Sequence, residues 1–291
     1  MTSISGVGRL RQERPEWTPW LAVVDEALRE CSAAAWDAAV PDAGDASESL
    51  APSIHHTTVV VDAARVRNLF RRLIEAASRS AAPAMTTLEA GLSRHIDPAE
   101  LMAASIRQDH EAVLALARRH GVDADALQAI VSLLAVPLLQ ACRRRWAQSI
   151  PVSRMEGFCP ICAAWPAFVE IRGIERSRYL RCGRCGSEWL AHLLHCAFCG
   201  NDNHQELASL VPERTAPGAV DACRRCRGYV KTFTTLRGCD AASVMLHDLG
   251  SVELDVAALA QGYSRPSGLG FALDVAVRST FAPPKRFAWN A

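Results

Sequence analysis

Cys159-Pro-Ile-Cys162, Cys182-Gly-Arg-Cys185, Cys196-Ala-Phe-Cys199 and Cys223-Arg-Arg-Cys226 follow one another in the second half of the chain and hold eight of its eleven cysteines. A pair at this spacing puts two thiolates on one tight turn, aimed at a common centre. Two such turns complete a tetrahedral four-sulfur site for zinc or iron. One pair alone is a weak signal, whereas four in ordered series are a strong one. Between the pairs lie 19, 10 and 23 residues. Sequential pairing then closes the shorter loops at modest entropic cost. It puts Cys159, Cys162, Cys182 and Cys185 in one site and Cys196, Cys199, Cys223 and Cys226 in the other. An interleaved arrangement, with the first pair joined to the third, stays open. β modules of ~40 residues have little core of their own and commonly need a metal to stay folded. A thioredoxin-like redox role needs a βαβ context around one pair, and the sequence offers none.

Around the pairs the pattern is short and β-prone. Phe168–Ile171 and Arg178–Arg181 read as strands flanking a turn at Gly173, and Trp189–Leu194 and Tyr229–Leu236 read as two more. A helical stretch from Asp255 to Gly262 leads into a tail, read as irregular, that contains Pro283 and Pro284.

The first 150 residues read differently. Residues 1–16 are polar and are expected to be loose. Apolar positions at helical spacing then predict helices over Trp17–Val40 and Asp62–Ser80, with an exposed loop at Pro41–Ser53 between them. A shorter helix is expected near Met85–Ser93. Asp97 as N-cap and Pro98 at the first helical position open a helix that Gly121 ends. Another runs from Asp123 to about Gln148, kinked at Pro137. The result is a helical bundle of about five helices.

Bulk composition is ordinary. Apolar residues make up 49% and charged residues 22%, with 32 basic against 31 acidic side chains and a net charge of +1. Such a balance gives no general pull towards nucleic acid or anionic membrane. The opening residues lack the apolar core of a secretory signal, and the most apolar run, Ala129–Leu139, falls short of the ~20 residues a membrane helix needs. A cytoplasmic location follows as the expectation, where metal ligation is favoured over disulfides.

Beside the ligands, Arg181, Arg184, Arg224, Arg225 and Arg227 are expected to offset the charge of about −2 that four thiolates leave on a divalent ion, and to face a partner. Trp189 and Tyr229 are the obvious stacking residues should the ribbon meet nucleic acid. His192 and His195 read as neighbours of the second site, not ligands. Cys31 and Cys142 read as helix core, and Cys239 as structural. No phosphate loop, dinucleotide fingerprint or nucleophile elbow stands out, and four-sulfur sites leave no open position for hydrolytic water. The expectation is a protein without catalytic activity.

Several of these stretches resemble one family. They are Gly157-Phe158-Cys159-Pro160-Ile161-Cys162, Arg178–Trp189 (RYLRCGRCGSEW), Cys196-Ala197-Phe198-Cys199-Gly200, Cys223–Lys231 (CRRCRGYVK) and Asp248–Asp255 (DLGSVELD). Together they are similar to the FdhE-type formate dehydrogenase accessory proteins. The resemblance implies an α+β chain: an α-helical domain over residues 1–150, a first rubredoxin-like or zinc-ribbon-like module over 151–193, and a second over 194–291 with a C-terminal helix and tail. It implies two iron or zinc ions per chain, with iron favoured. It also implies an assembly factor that binds the catalytic subunit of respiratory formate dehydrogenase and supports its maturation in the cytoplasm before export. Homodimer formation is left open. The alternatives are a zinc-ribbon nucleic-acid-binding protein and an iron-thiolate redox protein.

Overall fold

Aspartates open most of the helices in the first half. Asp62 Oδ1 accepts the N–H groups of Ala64 and Arg65, and Asp97, Asp109 and Asp123 accept those of Ala99, Ala112 and Ala126 at 2.8–2.9 Å. Each caps donors that the first helical turn leaves unpaired. The computed structural model describes residues 2–42, 50–79, 88, 96–150, 154–211 and 218–280. Within them the helices are α1 (Thr2–Glu13), α2 (Thr18–Glu30), α3 (Ala63–Ser78), α4 (Pro98–Arg107), α5 (His110–His120), α6 (Ala124–Leu134) and α7 (Val136–Trp146). The helix expected near Met85–Ser93 lies, Leu88 apart, outside the described residues, as do Pro283 and Pro284.

Three departures from the sequence reading have local causes. Residues 2–13 form a helix, because Val7 and Leu10 sit three apart and are buried against the rest of the chain. The helix expected from Asp97 to Gly121 is two: Gln108 adopts the left-handed conformation (φ 50°) that ends α4, and Asp109 starts α5 afresh. Gly121 then ends α5 in the same conformation, as expected. The break before Pro137 falls at Ala135, whose N–H donates to Ser105 Oγ at 2.9 Å, so α4 holds the α6–α7 corner. Ala124–Trp146 is long and apolar enough to cross a membrane by length and composition, but most of its apolar window is buried inside the fold.

Two strands that escaped the sequence reading, one in each half of the chain, lie side by side. β1 (Thr57–Asp62) alternates buried and exposed positions and pairs in parallel with β8 (Val275–Thr280), Val59 opposite Val277. The tail read as irregular is thus, over residues 275–280, a strand that returns to the helical half.

The remaining strands are β2 (Phe168–Arg172), β3 (Ser177–Arg181), β4 (Glu188–Ala191), β5 (Leu207–Leu210), β6 (Ala219–Cys223) and β7 (Tyr229–Thr235). They form one six-stranded sheet in the order β4-β3-β2-β7-β6-β5. Its two antiparallel halves each contain a pair of strands, a cysteine turn and a third strand. They meet where β2 runs parallel to β7, Phe168 opposite Lys231. Two short helices follow, α8 (Val244–Leu249) and α9 (Val252–Ala260). Helix α1 packs back onto α8, where Leu10 lies close to Gly250 and Arg14 pairs with Glu253.

Candidate metal centres

All four Cys-x-x-Cys pairs fold into the same turn. In each, the N–H of the first cysteine donates to the carbonyl five residues on: Cys159 to Ala164, Cys182 to Ser187, Cys196 to Asn201 and Cys223 to Gly228, at 2.8–3.0 Å. The residue after the second cysteine donates back to the first cysteine's carbonyl, and it takes a left-handed conformation. It is Ala163, Gly186, Gly200 or Arg227, with φ of 61°, 76°, 71° and 59°. The turn therefore tolerates a side chain at two positions and uses glycine at the other two.

These turns bring the eight cysteines together in two groups, Cys159/Cys162/Cys182/Cys185 and Cys196/Cys199/Cys223/Cys226, so the pairing is sequential. Closest sulfur approaches are 3.5 Å in the first group (Cys159 to Cys185, Cys162 to Cys182) and 3.7–3.8 Å in the second (Cys196 to Cys226, Cys199 to Cys223). A tetrahedron with metal–sulfur bonds near 2.3 Å has edges of about 3.8 Å, so either group can receive a zinc-sized ion with little movement. Disulfide sulfurs would lie at about 2.05 Å. All eleven cysteines are free.

Polar groups support the sulfurs, and two of them carried no mark in the sequence reading. Ser187 Oγ lies 3.1 Å from Cys159 Sγ and 3.0 Å from Cys185 Sγ. Asn201 Nδ2 donates to Cys223 Sγ at 3.6 Å. Each stands two residues after the second cysteine of a Cys-x-x-Cys-Gly turn, which is the signal that could have found them. Backbone N–H groups of Ile161, Cys185, Phe198 and Gly228 also point at sulfur, at 3.3–3.5 Å.

Protonation follows from these contacts. Burial favours the neutral thiol at Cys182, yet hydrogen bonds from Cys159, Cys162 and Cys185 hold it well below the ordinary value. Hydrogen bonding with Cys159 pushes Cys162 up, and burial does the same to Cys185. At Cys223 burial is outweighed by N–H donors and the Asn201 amide, which bring it down to about 7. Burial raises Cys196, and it takes Cys226 to about 11. Cys182 and Cys223 are thus the sulfurs drawn towards thiolate, and metal binding needs its sulfur ligands deprotonated.

The surroundings of the two groups differ sharply. All four cysteines of the first are 0% exposed and belong to the main hydrophobic core. Ser53 and Ile54 donate their N–H groups to the carbonyls of Pro160 and Ile161. Arg184, from the second turn, donates to the carbonyls of Ser105 and Ile106 at 2.5 and 3.0 Å, closing the C-terminal end of α4. In the second group Cys196 and Cys223 are buried, but Cys199 and Cys226 are exposed.

The arginines expected to offset thiolate charge are divided in their work. Arg181 is buried and binds Glu170 at 2.8 Å and Glu188 at 3.2 Å, besides donating to the Cys239 carbonyl. Arg184 is spent on α4. Arg224, Arg225 and Arg227 are exposed on the second group's last turn, with Arg224 donating to the Gln205 carbonyl and Arg227 to the carbonyls of Gln261 and Gly262. Trp189 and Tyr229, the stacking candidates, are both buried, and they donate to the Glu156 carbonyl and the Asp255 carboxylate. His192 and His195 join neither sulfur group. Cys31 and Cys142 are buried among helices, where burial raises both thiols to about 12.

The DLGSVELD stretch supplies a buried charge network. Lys231 on β7 is 0% exposed, and its ammonium lies 2.7 Å from Asp248 Oδ1 and 2.9 Å from Asp255 Oδ2. Arg265 reaches the same two carboxylates at 2.8 Å. Burial alone would raise Asp248, but Arg265 and Lys231 hold it below the usual carboxylate value.

No family model matches the chain. Among curated proteins it is 30% identical over 111 residues to "Protein FdhE homolog" of Aquifex aeolicus (strain VF5), a match covering 37% of this chain and 39% of that protein. It is 31% identical over 112 residues to "Protein FdhE" of Escherichia coli O127:H6 (strain E2348/69 / EPEC), covering 38% and 36%. In these matches the chain spans less than two fifths of its curated relatives' length. Among solved structures, the FdhE protein from Pseudomonas aeruginosa shares the fold, with a TM-score of 0.55 and 23% identity over 92% of this chain and 93% of that one. Over 111–112 residues the chain is thus similar in sequence to FdhE proteins, and it shares the fold of one of them.

Proposed function

We propose that the chain is a non-catalytic accessory protein in the formation of formate dehydrogenase, binding that enzyme's catalytic subunit in the cytoplasm and supporting its maturation before export. Each of its two four-cysteine groups would hold one iron or zinc ion. In this reading residues 1–150 are the helical support, and 151–193 and 194–291 are the two metal modules.

The observation that carries the reading is the pair of sulfur groups, each closed on itself. A tetrahedral ion with four protein thiolates has no free position for substrate, so such groups shape and present a surface. A suitable surface lies beside the second group. Leu193 and Leu194 are exposed, and a cavity of about 190 Å³ opens there, lined by Cys196, Cys223, Phe198 and Arg178 among others. Exposed apolar side chains clustered next to a polar rim suit protein recognition. Burial of Trp189 and Tyr229 removes the stacking platform that a nucleic-acid ribbon would use.

Tagged chain, recovered from cells producing formate dehydrogenase, should carry the catalytic subunit with it. Leu193→Asp together with Leu194→Asp should reduce that recovery without changing the metal content. Recovery of no subunit by the unaltered chain would refute the reading.

A further inference from the structure

We propose, on the metal reading above, that the two sulfur groups are not equivalent: the first is a permanent structural site, and the second is an exchange site that can hand its ion to a thiolate-bearing acceptor. The inference follows from the way the fold covers each set of sulfurs.

Around the first group every approach is filled. Its four cysteines are 0% exposed. Ser187 lies against two of the sulfurs, the 53–54 segment covers the first turn, and Arg184 of the second turn is anchored in α4. Releasing an ion from this group means opening the main core, of which these cysteines are members. The local cost is then the cost of a large unfolding event.

None of the second group's four cysteines belongs to that core, although Ala197 of its first turn does. Cys196 and Cys223 form its inner edge, at 7% and 2% exposure, while Cys199 and Cys226 form its outer edge and are exposed. Each closest sulfur contact joins an inner cysteine to an outer one, at 3.7 and 3.8 Å. One whole edge of the tetrahedron therefore faces solvent. A thiolate from an acceptor can approach the ion across the Cys199–Cys226 edge. As its bond to the ion forms, the bond to Cys199 or Cys226 breaks, and the freed thiolate takes up a proton from water. No electrons are exchanged, and the ion keeps its charge. Cys196 and Cys223 retain the ion until a second acceptor thiolate arrives. Arg224, Arg225 and Arg227 line the same exposed turn and would draw an anionic thiolate towards it.

The test uses the full chain loaded with zinc and challenged with excess 4-(2-pyridylazo)resorcinol, which reports released zinc by colour. Two equivalents per chain are expected, one leaving at least about tenfold faster than the other, since solvent access and the groups around the ligands set metal retention. Brief iodoacetamide treatment of the loaded protein, followed by peptide mass mapping, should alkylate Cys199 and Cys226 and spare Cys159, Cys162, Cys182 and Cys185. Cys199→Ser should abolish the fast equivalent and leave the slow one. A synthetic metal-free four-cysteine peptide should take up one equivalent, not two, within the time of the fast phase. Two equivalents leaving at one rate, or alkylation that favours the first group, would overturn the inference while leaving the metal reading intact. Binding of no zinc at all would overturn both.

Discussion

Gly186 and Gly200 occupy equivalent places in their cysteine turns, with φ of 76° and 71°, yet their surroundings differ. A Cβ on Gly200 would meet nothing nearer than His195 Nε2 at 3.6 Å, an ordinary contact. On Gly186 it would lie 2.5 Å from Ala241 Cβ and 2.6 Å from the Ala241 carbonyl oxygen. Gly200→Ala should therefore cost only the left-handed conformation, roughly 1–2 kcal/mol. Gly186→Ala should cost that and a backbone displacement as well. Thermal unfolding of the two metal-loaded variants checks the order: Gly186→Ala should melt lower. Lys231 offers a second single-residue test. Lys231→Met would leave Arg265 as the one cation for Asp248 and Asp255, with the Tyr229 hydroxyl still donating to Asp255, and breaking a buried ion network by removing one partner costs roughly 3–5 kcal/mol. Urea unfolding should show a loss of that order. A loss well under 1 kcal/mol would mean that Arg265 suffices.

At the level of elements, the cysteine turns and most of the strands beside them were legible, because ligand spacing and glycine placement are local signals. The aspartate caps were legible for the same reason. The helix at residues 2–13 was not: its few apolar side chains are decisive only because α2 and, from far along the chain, α8 pack against it. β1 and β8 escaped because, among the described residues, each is the other's sole neighbour in a two-stranded sheet. Ser187 and Asn201 went unread because a hydroxyl or an amide two residues after a cysteine means little until the turn is seen. β2, β3 and β4 also hold a charge cluster that shows how the elements respond to acid. Burial would raise the Glu170 carboxyl, but the Cys239 N–H, Arg172 and Arg181 hold it below its ordinary 4.5, and hydrogen bonding from Arg172 does the same for Glu188. Asp248, on α8, lies below its ordinary 3.8. Groups lowered in the folded state stabilise it fully above those ordinary values, and that support is lost as pH falls through the lowered ones. These carboxylates should support the sheet fully from neutral pH down to about 5 and less below about 4. Urea midpoints of the unaltered chain and of Glu170→Gln across that range check it: the gap between the two should stay constant from pH 7 to 5 and shrink below about 4, and a gap already shrinking above pH 5 would contradict it.

Across the whole molecule, bound metal would couple to the fold unequally. The first sulfur group lies within the core that also contains α2, α3, α6 and α7, whereas Val220, Tyr229, Leu254 and Tyr263 beside the second form a separate small cluster. Metal-binding free energy becomes folding free energy where the ligands are part of the packed structure. Cys182→Ser should therefore lower the melting of the helical half, and Cys223→Ser should leave it near that of the unaltered chain. Far-UV circular dichroism of the two variants, both prepared with zinc, makes the comparison.

The pairing of β1 with β8 has a consequence for the chain's birth. Contacts such as Asp274 N–H to His55 Nδ1 and Thr280 Oγ1 to the Val61 carbonyl join residues 219 apart in sequence. Loops of that length close late. On the ribosome, all eight cysteines of the two groups will have emerged before β8 does, at a synthesis rate of about 5–20 residues per second. For some seconds the nascent protein will hold its thiols while the clasp beside the first sulfur group is still open. An ion bound by the group that becomes sealed in the finished molecule would then enter most readily during translation or soon after it.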